Sequence, residues 1–369
     1  MIFSTSGYYS TGSSAVYVLL KEYENCEEGI LRNWELRAHD YENVFLYMPN
    51  GLFDLEDKLL YGNSIHRSDE AIRGFLSEMR RLNDNKYGWC GDYQRLIGDE
   101  FMNMIREFVD SLIDYKVQSH WGYHLGNDKL SCRKFLGSVK RKITGERATG
   151  DFWKATSYRT DEMIYYAFPT PEKFYASARK MIDRYCNLMM GSDAEGKDLL
   201  LNHFILPHNL YRLKKYFAEE EIRVIVVDRD PRDVFIMEKY RMRSDRSRIP
   251  CQDVREFVSF WKKLRCCEKQ ENDPRVVRIR FEDMIYKYED TVSFLESRCG
   301  LDPRRHIHKK EYFSVEKSMY NTQLFKQDTI WAEEIRYIEK ELPEYIYPFP
   351  EGSGIKEKLS AGQYGIYVS

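Results

Sequence analysis

Apolar residues along this chain keep two different rhythms. Residues 1–6 read as a short buried strand, and so do 198–205, 222–227 and 276–281. The run at 222–227 is unbroken but for Arg223, as expected of a strand covered on both faces. Elsewhere apolar side chains recur at three- and four-residue steps: Ile72, Phe75, Met79 and Leu82; Phe101, Ile105, Phe108 and Leu112; Val254, Phe257, Val258, Trp261 and Leu264. That spacing predicts helices within 69–115 and along 254–264. Further helices are predicted over 15–21, 171–190, 207–217, 332–342 and 282–297, the last stopped by Gly300. Residues 42–48 read as another strand, closed by Pro49, Asn50 and Gly51, and 156–168 as one more. Strands alternating with helices predict an α/β fold, with a central, mostly parallel sheet and helices on both faces. Segment 116–156 is polar and basic and keeps neither rhythm. Residues 49–197 are therefore expected to form a mainly helical insertion, facing the substrate, within one domain spanning 1–369.

Bulk properties narrow the function classes. A chain of 369 residues suits one large α/β domain carrying an insertion, or two domains. Basic and acidic residues nearly balance, 57 against 59, so no generally basic surface for nucleic acid is indicated and any anion site must be local. The eight cysteines form no C-x-x-C pair, which points to neither a zinc site nor a disulfide frame. Residues 1–6 lack a basic n-region, and no later run approaches about 20 apolar residues. The expectation is a cytoplasmic protein without an integral membrane segment.

Two corners carry candidate chemistry. Gly7-Tyr8-Tyr9-Ser10-Thr11-Gly12-Ser13-Ser14 has the form G-x4-G-x-[ST] and lies between a predicted strand and a predicted helix. Glycines permit a tight turn, inward-facing amides and the helix dipole favour phosphate, and Ser10, Thr11, Ser13 and Ser14 add hydroxyls. The nucleoside-triphosphatase loop has Lys where this chain has Ser13. The second corner is Asp228-Arg229-Asp230-Pro231-Arg232-Asp233-Val234, at the end of the strand over 222–227. Asp230 is a good N-cap, Pro231 suits the first helical position, and Asp233 has capping-box spacing. Arg229 sits where ligands gather in open α/β sheets and can fork onto a phosphate. Lys239, Arg241, Arg243, Arg246 and Arg248 follow, most simply as a solvated basic face.

Taken together, these corners resemble the sulfotransferase family, which uses 3′-phosphoadenosine 5′-phosphosulfate (PAPS) and has a three-layer P-loop-type fold. Residues 9–14 look like its 5′-phosphosulfate loop, commonly P-K-S-G-T-T, and 229–234 are similar to its R-x-P-[KR]-D-x signature. Arg280-Phe281-Glu282-Asp283-Met284 resembles its Y-E-D-L segment, and Gly300-Leu301 the G-L that closes the next helix. The likeness covers the first 20 residues and about 199–301, and the middle of the chain matches nothing comparable. The loop Lys falls on Ser10, and the Ser eight positions after the signature Arg falls on Met237. The resemblance implies sulfuryl transfer from PAPS, without a metal, to a hydroxyl or amine of a small molecule or carbohydrate. It implies a 3′-phosphate contact from Arg229 and nucleotide contacts from Ser318, Asn321 and Lys326, in the region that closes over the nucleotide. Lys326 or an Arg of the basic segment would replace the loop Lys.

Acceptor deprotonation needs a base. His203, in Asn202-His203-Phe204 after a predicted strand, holds the place of the family's T-H-L-P histidine, and His208 follows five residues on. Glu35 is a weaker candidate. The alternatives are a P-loop kinase using ATP and magnesium, with Asp228 and Ser14 on the metal side, and a catalytically inactive nucleotide-binding homologue. Trp121, Tyr123, His124, Trp153 and Tyr158 of the insertion can stack on an acceptor ring or belong to the core.

Overall fold

The computed structural model describes residues 1–33, 38–62, 65–119, 121, 143, 163–192, 195–242, 247–269 and 272–353. Its centre is a five-stranded parallel sheet in the order β2-β5-β1-β6-β7. The strands are β1 (Ile2–Gly7), β2 (Cys26–Glu27), β5 (Asp198–Asn202), β6 (Ile222–Asp228) and β7 (Val276–Arg280). Register brings their C-terminal ends level: Thr5 lies opposite Asn202, Gly7 opposite Val227, and Asp228 opposite Arg280. From β1 the chain travels to the outer strand β2, yet β6 and β7 lie on the other side of β1. The reversal falls at the end of β1, the position where open α/β sheets take ligands.

Helices flank the sheet. α1 (Ser13–Leu20) lies across β1, β5 and β6 and is almost wholly buried, so it is apolar all round rather than striped. The region before β5 contributes α2 (Leu52–Leu60), α3 (Ile65–Asn83), α4 (Tyr93–Ile97), α5 (Glu100–Leu112) and α6 (Pro171–Met190). An antiparallel pair, β3 (Tyr115–Gln118) and β4 (Met163–Tyr166), joins them. Phe75, Phe108 and Phe174 of these helices belong to the same apolar core as Phe3 and Val224 of the sheet. After β5 come α7 (Leu213–Tyr216), α8 (Pro231–Ile236), α9 (Val254–Cys266), α10 (Asp283–Tyr286), α11 (Tyr288–Cys299), α12 (Val315–Met319) and α13 (Ala332–Glu341). A second core joins α8, α9 and α13 around Phe235, Phe257, Trp261 and Ile338. Among the described residues no helix is long and apolar enough to cross a membrane.

Several expectations change in detail. Residues 42–48 do not form a strand: Val44–Leu46 is a single 3-10 turn with all three side chains buried. Asn43 meets the end of β5 instead, donating to Asn202 O from both its amide and its Nδ2, each at 3.0 Å. The helix expected over 282–297 is two, broken at Lys287, and Gly300 ends the second at φ 73°. Residues 207–217 are a 3-10 turn, Pro207–Arg212, followed by the short α7. The helical stretch within 69–115 is interrupted by a turn containing Gly88 and Gly91, both at positive φ. Of the polar segment 116–156, only residues 116–119, 121 and 143 are described.

Gly12 N-caps α1 at φ 93°, and a Cβ there would lie 2.6 Å from Cδ2 of Phe281. Gly12→Ala therefore combines left-handed strain with overlap and should destabilise by about 1–3 kcal/mol, read from chemical denaturation. A variant as stable as the parent would show that the loop yields at no cost.

Candidate functional site

The loop between β1 and α1 uses most of its own hydroxyls. Thr11 Oγ1 accepts from the Tyr8 amide at 2.9 Å and donates to Tyr8 O at 3.0 Å, which closes the turn. Ser10 stands at φ 54° and its hydroxyl donates to the carboxylate of the buried Glu238. Glu238 lies on a π-helical turn, Met237–Arg241, that extends α8; such turns are frequent at functional sites. Ser13 Oγ lies 2.8 Å from Nε2 of His203, while Ser14 follows in the first turn of α1. The Ala15 amide donates back to Gly12 O at 3.1 Å, and the start of the turn carries the positive end of the helix dipole.

Tyr8 faces another way. Its hydroxyl donates to Glu268, and the guanidinium of Arg265 lies 3.4 Å from its ring centroid. Arg265 is also paired with Asp228. The carboxylate that the kinase alternative requires on the metal side thus already has a cation. Arg278 is likewise paired, with Glu268.

At the second corner, Asp230 caps α8 as expected, accepting from the Arg232 amide at 2.9 Å, with Pro231 at the first position. Asp233 does not complete a capping box. Its carboxylate accepts from the amides of Gln323 and Leu324 at 2.8 and 2.7 Å, and the amide of Asp230 donates to Glu282 at 2.8 Å. Asp230 also accepts from the Tyr347 amide, and Arg232 pairs with Glu339 while lying 3.9 Å from the ring centroid of Phe325. The motif is therefore a clasp that holds the chain after α12 against the sheet edge.

Arg229 belongs to the same clasp. It is 5% exposed, donates from one terminal nitrogen to Ser10 O at 2.7 Å and from the other to Asn321 O, and lies 5.0 Å from the ring centroid of Phe281. Its Nε is buried and has no hydrogen-bond partner among the described residues. The guanidinium thus joins the loop after β1 to the C-terminal segment and keeps one unsatisfied donor between them.

The remaining expected residues divide. His203 comes to the loop; it has φ 52°, its amide donates to Thr5 O at 2.8 Å, and its Nδ1 is 3.6 Å from the carboxylate of Glu42. His208 does not come to the loop hydroxyls: its Nε2 lies 3.0 Å from Leu264 O, a packing role beside Tyr8. Ser318 is buried in α12, and its carbonyl accepts from the amide of Asn321, one turn on, at 3.0 Å. Lys326 donates to Gln323 Oε1 at 2.6 Å, so this cation is held by its own turn. In the basic segment Lys239 is paired with Glu334, and Arg241 donates to Gln327; Arg243 and Arg246 lie outside the described residues. Glu35, Tyr123, His124, Trp153 and Tyr158 also lie outside them, while Trp121 stacks edge-on with His66.

Sequence reasoning missed Glu42, Glu238, Arg265 and the ring contacts of Phe281. Glu42 was hidden inside a segment read as a strand, and no local pattern marks the other three. No family model, curated protein or solved structure matches the chain.

The clasp is rich in acid. Burial pushes the Glu282 carboxyl up to about 8, and the charges of Asp230 and Asp233 add to this; burial and Asp230 likewise push Asp233 up to about 7, against the pull of Arg229. A raised carboxyl pKa means that the native state holds the proton more firmly than the unfolded chain. For Glu282, stability is then full below about 4.5 and falls as pH rises through about 8. Glu282→Gln keeps an acceptor for the Asp230 amide and removes the charge. It should flatten this dependence and stabilise the protein above pH 8 by roughly 2–4 kcal/mol in chemical denaturation. An unchanged pH profile of stability would contradict the assignment.

Proposed function

We propose that this chain transfers a sulfuryl group from PAPS to a hydroxyl or amine of a small molecule or carbohydrate. The observation that carries the reading is the 2.8 Å contact between His203 Nε2 and Ser13 Oγ, which joins the candidate base to the candidate phosphosulfate loop. In this reading the first-turn amides of α1 hold the 5′-phosphosulfate, and Arg229 turns from the Ser10 and Asn321 carbonyls to the 3′-phosphate. The unpartnered Nε of Arg229 supports that assignment, because an anion would complete the set of bonds this guanidinium lacks. The acceptor oxygen attacks sulfur in line, its proton passes to His203 Nε2, and the S–O bond to the phosphate breaks. Loop amides offset the charge that develops on the departing oxygen.

The loop places no lysine beside the phosphosulfate, and Glu238 adds a negative charge at Ser10. Donor binding must therefore rely on amides and on Arg229 more than on a loop cation. A kinase reading is weaker, since the Asp228 carboxylate is engaged by Arg265. An inactive homologue would keep nucleotide binding without turnover.

Thermal and chemical stability measured with adenosine 3′,5′-bisphosphate, and separately with ATP and magnesium, distinguishes these. The bisphosphate at 100 times its dissociation constant should stabilise by about 2.7 kcal/mol, and ATP with magnesium by much less. Stabilisation by ATP with magnesium alone, or by neither, overturns the reading. With a sulfuryl donor and an accepted acceptor, His203→Ala should lower turnover by about 10²–10⁴-fold. A fully active variant would remove His203 from the chemistry.

A further inference from the structure

His203 and Glu42 reach one another from separate parts of the chain, and the backbone beside them fixes that meeting. Asn43, next to Glu42, donates twice to the carbonyl of Asn202, next to His203. Asn43 Oδ1 is itself held by Tyr185 at 2.9 Å, and the Asn202 side chain accepts from Thr5 at 3.0 Å. His203 takes a left-handed backbone that non-glycine residues seldom adopt. That conformation is secured by its amide bond to Thr5 O at 2.8 Å. Both side chains are largely covered, at 21% and 25% exposure, and Nδ1 and Oε2 are at an ion-pair distance of 3.6 Å.

We propose that Glu42 is the positioning residue of this site, keeping the His203 proton on Nδ1 so that Nε2 is free to take one from the acceptor; this rests on the sulfuryl-transfer reading for its role in turnover. A carboxylate can only accept, so a hydrogen bond that closes this 3.6 Å gap places the hydrogen on Nδ1. In the neutral ring Nε2 is then the acceptor, and Ser13 donates to it. The Ser13 hydroxyl occupies the place where an acceptor hydroxyl must be held to lose its proton. Burial pushes the Glu42 carboxyl up, but His203 and the guanidinium of Arg248 outweigh burial and leave it below the ordinary carboxylate value. Glu42 thus remains charged across the neutral range. Arg248 also lies 5.9 Å from the ring centroid of the exposed Trp89.

The test reads the imidazole directly, in the whole chain without donor or acceptor. With ¹⁵N-labelled histidine, long-range ¹H–¹⁵N spectra at a pH where histidine is neutral show which ring nitrogen is protonated, and His203→Gln assigns the signal. The expected spectrum has a protonated Nδ1 and a bare Nε2, and Glu42→Ala should move the proton to Nε2. Glu42→Leu, of similar size and without an acceptor, supplies the same comparison should the alanine variant unfold. With donor and acceptor, Glu42→Gln should lower turnover at least about tenfold and leave the affinity for adenosine 3′,5′-bisphosphate unchanged. A wild-type Nε2–H, or a His203 spectrum indifferent to both substitutions, overturns the proposal. The expected spectra together with no binding of the bisphosphate would overturn the sulfuryl-transfer reading while leaving the Glu42–His203 pair intact.

Discussion

A buried guanidinium shared between two backbone carbonyls holds the working edge of this molecule together. Arg229 joins Ser10, in the loop after the first strand, to Asn321, over ninety residues downstream. A cation removed from water is costly unless its donors are met. Here the carbonyls, the face of Phe281 and the nearby Asp233 compensate for all but the buried Nε. The same few residues fold the C-terminal part of the chain back onto the sheet: Asp233 takes the amides of Gln323 and Leu324, and Asp230 that of Tyr347. What reads locally as a helix start is in three dimensions a clasp.

The clasp borders the sheet edge at the end of β1. Parallel register brings Gly7, Asn202, Asp228 and Arg280 to one edge, and the returning chain closes one side of it. His203 closes another, held by hydrogen bonds that fix its backbone before any ligand enters. The hydroxyls of Ser10, Thr11 and Ser13 are each engaged with a protein partner. An anion entering the loop must therefore exchange existing bonds rather than find open donors. At Ser10 the bond exchanged is to the carboxylate of Glu238, at Ser13 to His203, and at Arg229 to two backbone carbonyls.

Much of this frame was legible along the chain, for identifiable reasons. The core strands near 2–6 and 222–227 and the striped helix ending at Cys266 declare themselves through periodicity, which is a local property. Asp230 and Pro231 declare a helix start for the same reason. The failures are places where a distant partner decides. Residues 42–48 have strand-like composition, but Asn43 is claimed by the end of β5, so the segment turns. Asp233 has capping-box spacing, yet the amides ninety residues on compete for its carboxylate. His203 is marked by its likeness to a T-H-L-P histidine at a strand end, whereas Glu42, which faces it at 3.6 Å, has no sequence signal at all.

In the proposed reading, the amides opening α1 and the guanidinium of Arg229 together form the nucleotide pocket. A crystal structure of the chain with adenosine 3′,5′-bisphosphate tests it most directly. The expected complex has the 5′-phosphate on the amides around Gly12 to Ser14, with Arg229 released from the Ser10 and Asn321 carbonyls and turned onto the 3′-phosphate. A nucleotide bound elsewhere, with Arg229 still on those two carbonyls, would contradict it.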